Sequence, residues 1–350
     1  MKRFLLLCVC IMQCLSSFSE KKALLIGVGH YPKDSGWQEI SSANDIGLLK
    51  EMLSSYDLQV LLDKEATHEN IKESIISLCN KTHKGDTILI HFSCHGQQML
   101  PQNDKEEIDN LDEALVPYDA YSTQTQIYDG RNHLRDDEMK NYLNSIRKAA
   151  GTNGLVLLTI DACFSDSMDK GSKKDKTKYR GGASIFGANV LSSEKLQYLL
   201  DHRNVEETEM PLKKQGIADI LILSACKSFQ RNREVIIRGK GYGSLSYAMY
   251  YSYKNFGMTD LYRWIDGIYN EMEDIAFTQT PQVRTTLEYS FPIKQSFTKK
   301  IPIKQSFTKK IPIESEQDAN ETSNPKAIVI LTIVGLLIFV LIWTKLRNKS

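Results

Sequence analysis

The sequence predicts an α/β domain, a three-layer α/β/α sandwich with a mainly parallel central sheet, plus a C-terminal transmembrane helix. Unbroken apolar runs rich in β-branched and large aliphatic residues, such as the one from Gly154 to Ile160, read as strands buried on both faces. These runs alternate with stretches of helical apolar spacing, and that alternation calls for parallel pairing with crossover helices on both sides of the sheet. A stretch without any charge, 327–344, follows near the end of the chain.

The 350 residues, 41% hydrophobic and 25% charged, suit one domain of about 250 to 300 residues with segments to spare at both ends. A formal net charge of +1 leaves no case for a nucleic-acid partner. Of seven cysteines, Cys8, Cys10 and Cys14 lie near the start, while Cys79, Cys94, Cys163 and Cys226 are scattered through the body without a CxxC pair. A disulfide scaffold is not expected from that spacing.

Residues 1–19 combine Met1-Lys2-Arg3 with a short apolar core and small residues up to Ser19, the pattern of a secretory signal peptide. The domain then runs over 20–290. KKALLIGVGHY, from Lys21, reads as a strand entering a glycine turn; Pro32 stands where a dinucleotide fingerprint needs its third glycine, which excludes that motif. Ile46, Leu48, Leu49, Met52 and Leu53 have helical spacing, Leu58 to Asp63 reads as a strand, and Thr67 caps a helix with Ile71, Ile75, Ile76 and Leu78 along it. Asp86 to Ser93 is the next buried strand, followed by an acidic, irregular stretch and a helix start at Asp136-Asp137. Beyond the Gly154 strand, the basic stretch Lys170 to Arg180 is expected to be a mobile loop. Ala218 to Ala225 reads as a strand, Gly239 to Gly243 as a turn opening a helix, and Leu261 to Met272 as an amphipathic helix. Residues 291–326 form a polar spacer in which PIKQSFTKK occurs at Pro292 and again at Pro302. The uncharged run 327–344 spans about 27 Å as a helix, and Lys345, Arg347 and Lys349 follow it within a short basic tail, 345–350. The positive-inside rule makes that tail cytoplasmic, so the domain is expected on the non-cytoplasmic side as an exported, single-pass, membrane-anchored protein.

Chemistry gathers at the carboxyl ends of parallel strands. Cys163 ends the Gly154 strand and His95 follows the Asp86 strand, so a nucleophile and a base can occupy neighbouring strand ends. A free cysteine is more often a small buried hydrophobe; the adjoining Asp161 and the polar Ser165-Asp166-Ser167 argue for the chemical role. For the acidic residues after His95, helix-dipole and solvated-loop readings compete with a hard-cation site, and the spacing does not match an EF-hand loop.

ALLIGVGHY, the helix start Ser42-Ala43-Asn44-Asp45, SCHGQ, LDEALVPYD, LRDDEM, the DAC segment, and ILSACKSFQ followed by GYGSLSYA together resemble the caspase and metacaspase clan of cysteine peptidases, in its metacaspase-like branch, over roughly Lys21 to Tyr289. The resemblance implies Cys163 as nucleophile, His95 as general base and acid, and the backbone amides of Gly96 and Cys163 as oxyanion donors. It matches Asp161 to the metacaspase pocket acid and Ser93 to a second S1 position, so the expected substrates are proteins or peptides with Arg or Lys at P1. It matches Asp136 and Asp137 to a calcium-binding pair, with Asp112 and Asp169 near the other acidic ligands; calcium would then be an activator, the chemistry itself requiring no cofactor. Phe164 and Asp166 depart from the family pattern, which has histidine and glycine there.

An enzyme that prefers basic P1 residues finds candidates in its own loop, at Lys170, Lys173, Lys174, Lys176, Lys178 and Arg180, and at Lys213-Lys214, so self-processing is expected there. A monomer is expected. Two other functions stand beside the endopeptidase: a catalytically idle binding or scaffold module at the membrane, against which the intact His95 and Cys163 argue, and a zinc site of His91, Cys94, His95 and Cys163. The zinc site is disfavoured because Cys94 points away from both histidines in a strand.

Overall fold

A computed structural model describes residues 19–100, 111–164, 178–182, 184–202, 215–227 and 230–287. The central sheet has six strands in the order β2-β1-β3-β7-β8-β11: β1 (Lys21–Gly27), β2 (Asp57–Leu62), β3 (Thr87–Ser93), β7 (Leu155–Asp161), β8 (Asp219–Ser224) and β11 (Gln282–Thr285). The first five are parallel and β11 is antiparallel at the edge. The chain leaves β1 toward β2 on one side and returns to β3 on the other, which makes the carboxyl ends of β1 and β3 the switch point where such sheets open a crevice.

Period-two alternation divides the strands between two cores. Leu24, Ile26, Ile88, Ile90, Val156, Leu158, Ile220 and Ile222 face one side, against α2 (His68–Lys81) and α3 (Asp136–Ala150). Ala23, Leu25, Leu89, Leu157, Leu221 and Leu223 face the other, against α1 (Ser42–Met52), α5 (Ser244–Phe256) and α6 (Leu261–Ile275). The expected Thr67 cap is present, its hydroxyl accepting from the amide of Asn70. On the α1/α5 side the last positions of β3 and β7 become polar. His91, Ser93, Thr159 and Asp161 are all fully buried there, so they need partners from the helices above.

Three features differ from the sequence expectations. The acidic region after His95 is partly ordered into a small antiparallel sheet, β4 (His95–Met99), β5 (Asp112–Val116) and β6 (Leu134–Arg135). The glycine turn at Gly239 sits at the tip of a hairpin, β9 (Glu234–Ile237) with β10 (Lys240–Gly243), where Arg238 and Gly239 both have positive φ as a tight turn of that hand requires. A further helix, α4 (Ser193–His202), follows the basic loop. Residues 1–18 of the expected signal peptide, the spacer, the span 327–344 and the tail all lie outside the described residues, and no helix among the described residues is long and apolar enough to cross a membrane.

Candidate active site

The ends of β1, β3 and β7 are in register, Gly27 opposite Ser93 and Ser93 opposite Asp161. His95 and Cys163 each follow two residues later, so adjacent strands deliver them to the same edge, and each is only 2% exposed. His95 Nε2 lies 2.8 Å from the carbonyl oxygen of Gln38. A carbonyl only accepts, so Nε2 carries the proton and Nδ1 holds a free lone pair; Nδ1 has no hydrogen-bond partner among the described residues. Trp37 stacks on the ring at 5.0 Å and Tyr31 packs at 5.4 Å. Burial pushes the imidazole pKa down to about 4, so His95 is neutral at pH 7. The Cys163 thiol donates to the carbonyl of Gln230 at 2.9 Å.

The described end of the basic loop passes through this site, which corrects the expectation of a mobile segment there. Arg180 is fully buried. Its carbonyl oxygen accepts from the amide of Cys163 at 2.9 Å and from that of Gly96 at 3.2 Å. Its own amide donates to the Asn232 carbonyl at 2.9 Å, and the amide of Glu234 donates to the Lys178 carbonyl at 2.9 Å, so 178–180 lies as an extra antiparallel strand along 232–234. On the far side, the amide of Gly182 donates to the carbonyl of Gly96 at 2.8 Å.

The guanidinium of Arg180 fills the polar crevice above β3 and β7. Nη2 donates to Asp45 Oδ2 at 2.7 Å and Glu234 Oε1 at 2.9 Å; Nη1 donates to Ser93 Oγ at 2.8 Å and stands 3.8 Å from Asp161 Oδ1. Each acid is itself held. Asp45 accepts from the Ser93 hydroxyl and the Gly243 amide. Asp161 accepts from Asn232 at 2.7 Å and, at the start of α5, from the amide and hydroxyl of Ser246. Against the cost of burial, the Arg180 guanidinium and then these hydrogen bonds hold Asp161 below the usual carboxylate range. Asp45 is raised to about 6 by burial, with Arg180 opposing and the negative charge of Asp161 adding to the rise. Gly243 is required here, because a Cβ on it would lie 2.6 Å from Arg180 Cζ. Lys178 lines a cavity of about 690 Å³ together with Ser41, Arg233, Glu234 and Ile236.

The model of the caspase domain matches residues 20–291. The chain belongs to the caspase domain family. Among its curated relatives are metacaspase-7 of Arabidopsis thaliana, 24% identical over 42% of this chain and 35% of its own length, and metacaspase-1 of Mycosarcoma maydis, 25% identical over 65% and 61%. The chain thus spans about a third to three fifths of the length of these two relatives. The fold is shared with the crystal structure of protein GSU0716 from Geobacter sulfurreducens, TM-score 0.53 at 20% identity, over 76% of this chain and 93% of that one. Membership of the caspase domain family and the metacaspase relatives support a cysteine-type peptidase.

Within this caspase domain, the structure brings together Cys163, His95, Gly96, Ser93, Asp161 and Arg180. Asp45, Glu234, Asn232, Gln38 and Cys226 join them, and the sequence reading gave none of these a role in the site. Cys226 follows β8; its thiol shares the Gln230 carbonyl, at 3.4 Å, with that of Cys163. A hydrogen bond with Cys163 and burial hold Cys226 well above the usual thiol pKa. Lys178 is exposed on the added strand, whereas Lys170, Lys173, Lys174, Lys176, Asp166, Asp169 and Lys213-Lys214 lie outside the described residues. The zinc grouping does not form: His91 faces Thr159 and Ser246, while Cys94 packs into the opposite core.

The acids matched to calcium do not gather into a cation site among the described residues. Asp112 pairs with Arg135, and exposed Asp137 lies 3.5 Å from Lys140. Asp136 is raised in pKa by desolvation at the start of α3 and by the charges of Asp112 and Asp137, yet the three do not bring ligand atoms within 4.8 Å of one another. The residues that do are Glu20, His83 and Asp86, and two of them already hold a cation: Lys22 Nζ, 2.5 Å from Glu20 and 2.6 Å from Asp86.

Proposed function

We propose that this chain is a cysteine endopeptidase that cleaves after basic residues through Cys163 and His95, and that its first substrate is its own Arg180–Gly181 bond. The observation that carries this reading is the double placement of Arg180: its carbonyl oxygen accepts from the amides of Cys163 and Gly96 while its guanidinium pairs with Asp45, Glu234 and Asp161. A peptide bond about to be cleaved needs its carbonyl between oxyanion donors and its P1 side chain in a complementary pocket, both at once.

The chemistry then runs on the chain's own groups. The Cys163 thiol turns from the Gln230 carbonyl to Nδ1 of His95, which takes its proton, and the thiolate forms a bond to the Arg180 carbonyl carbon. The charge that develops on oxygen meets the two amides, each such donor contributing about 3 to 4 kcal/mol in a site closed to water. Collapse expels the Gly181 amine, which receives the proton from His95; a buried imidazolium is a strong acid and gives it up readily. Water then attacks the Arg180 thioester with His95 again as base, freeing the thiol and an Arg180 carboxylate. Arg180 leaves the pocket, and external chains with arginine or lysine at P1 take its place.

The test is turnover of peptides carrying Arg, Lys or Asp before glycine, by wild-type protein and by Cys163→Ala, with a calcium arm and a chelator arm. Cleavage after Arg and Lys by wild type alone is expected, together with a new amino terminus at Gly181 in the wild-type chain and none in Cys163→Ala. Turnover of only the Asp peptide overturns the pocket assignment, and identical fragment patterns from the two proteins overturn self-processing. On the sequence of 1–19 and 327–344, we further propose that the domain acts while tethered to a membrane, on its non-cytoplasmic side; release of the full chain by alkaline carbonate overturns the tether.

A further inference from the structure

We propose that the positions after the scissile bond accept only glycine, so that the substrate class is the arginine-glycine-glycine segment, with Gln97 as the residue that enforces the second glycine. This deepens the proposed function and rests on its reading that Arg180–Gly181 lies in the site as substrate.

The segment beyond Arg180 is bound as closely as the segment before it. Gly181 forms a parallel bridge with Gly96, the Gly182 amide donates to the Gly96 carbonyl at 2.8 Å, and farther along the Phe186 amide donates to the Gln98 carbonyl at 2.8 Å. The leaving strand therefore runs along β4. At Gly181 a Cβ would stand 2.8 Å from the Cys163 carbonyl oxygen, 3.3 Å from its Cβ and 3.4 Å from Sγ. That oxygen is backbone at the end of β7 and cannot swing aside, so relief would move the scissile bond off the thiol.

At Gly182 a Cβ would stand 3.0 Å from Gln97 Cγ and 3.3 Å from Cδ and Nε2. A glutamine could ordinarily turn away, but this one is 1% exposed and clamped at both ends of its amide. Nε2 donates to the carbonyls of Ser122 at 2.8 Å and Ser184 at 2.9 Å, and Oε1 accepts from His133 Nε2 at 2.9 Å. Tyr128 in turn holds His133 Nδ1 at 3.0 Å. A side chain at this position must push this buried amide by a few tenths of an ångström against its own hydrogen bonds, a cost that translates into discrimination.

The experiment uses the full-length wild-type chain and quenched peptides Tyr-Arg-Gly-Gly, Tyr-Arg-Ala-Gly and Tyr-Arg-Gly-Ala embedded in one flanking sequence. Alanine at either position is expected to lower kcat/KM at least about tenfold. In Gln97→Ala the Gly-Ala peptide is expected to recover relative to Gly-Gly within the same preparation, whereas Ala-Gly is not, because its obstacle is backbone. Equal turnover of the three peptides by wild type overturns this inference and leaves cleavage after arginine standing. Failure of wild type to cut Tyr-Arg-Gly-Gly overturns the underlying reading as well. A Gln97→Ala enzyme that cuts Gly-Gly but still rejects Gly-Ala removes Gln97 from the role.

Discussion

The amide of Cys163 donates to the carbonyl oxygen of Arg180 at 2.9 Å. The group matched to the nucleophile thus holds, through its own backbone, the peptide unit that its side chain is proposed to attack. The same arginine is the cation around which three buried carboxylates are assembled, so the packing of the fold and the proposed self-processing converge on one residue.

Removing that cation leaves Asp45, Asp161 and Glu234 buried without it. Breaking a buried ion pair from one side costs about 3 to 5 kcal/mol. Asp161 keeps Asn232 and Ser246, and Glu234 keeps the amide and hydroxyl of Ser41 at 2.6 and 3.0 Å, which puts the expected loss near the lower end. In a Cys163→Ala background, where the chain stays intact, Arg180→Gln is expected to lower unfolding free energy by about 3 kcal/mol, read by chemical denaturation. Arg180→Lys should recover part of it. An unchanged denaturation midpoint for Arg180→Gln refutes this account of the cluster.

On the proposed function, substrate discrimination is expected to divide among the acids in an order set by distance. Asp45 and Glu234 contact Nη2 at 2.7 and 2.9 Å, whereas Asp161 stands at 3.8 Å behind its own hydrogen bonds. A lysine ammonium is a point charge that cannot engage Nη1 and Nη2 partners together. Glu234→Gln is therefore expected to lower kcat/KM for an arginine peptide by about a hundredfold, in line with truncation of a buried charge partner, and to narrow the preference for arginine over lysine. Equal losses on both substrates contradict the fork-specific role.

Much of this site was legible in the chain. Apolar runs ending in Ser93 and Asp161 located the two strand ends, and parallel order made them neighbours, so Cys163 and His95 follow adjacent strands at one edge of the sheet. Asp45 was harder, because an acid in the first turn of a helix has a sufficient reason in the dipole; only the fold turns it inward over β3. Glu234 and Asn232 sit on a short hairpin whose apolar pattern is too brief to mark an edge for substrate. Arg180 was one of several basic candidates, and composition gave no sign that the end of a lysine-rich loop would be buried, since that burial depends on three acids from three separate elements.

Two thiols stand at the same carbonyl, and they are expected to differ completely. Cys226 stays protonated under its hydrogen bond with Cys163 and its burial, and a thiol is a poor nucleophile. Cys226→Ser should keep most activity on arginine peptides and Cys163→Ser should lose it by several orders of magnitude. Iodoacetamide adduct mapping by mass spectrometry after self-cleavage should find Cys163 modified ahead of Cys226; the opposite order excludes Cys163 as the reactive thiol.

Acid sensitivity should come from three buried histidines. His91, between Thr159 and Ser246, and His95, against Gln38, have their pKa lowered to about 4 by burial; His133, between Tyr128 and Gln97, is lowered to about 3 by burial and then by Arg135. Each lies below the unfolded value near 6.5, so between about pH 6.5 and 4 the unfolded chain binds more protons than the folded one. Their contribution is complete above 6.5 and drains as pH falls, by about 1.4 kcal/mol per pH unit for each histidine. His68 has the opposite sign: its hydrogen bond with Glu138 raises its pKa, so its contribution is present below 6.5 and fades as pH rises through the folded value. Denaturation of the Cys163→Ala chain at pH 7.5, 6 and 5 should therefore show a steep loss toward acid. His91→Asn should flatten that slope by about 1.4 kcal/mol per pH unit, whatever it costs at neutral pH. A slope unaltered by the substitution means that His91 is not held neutral in the folded protein.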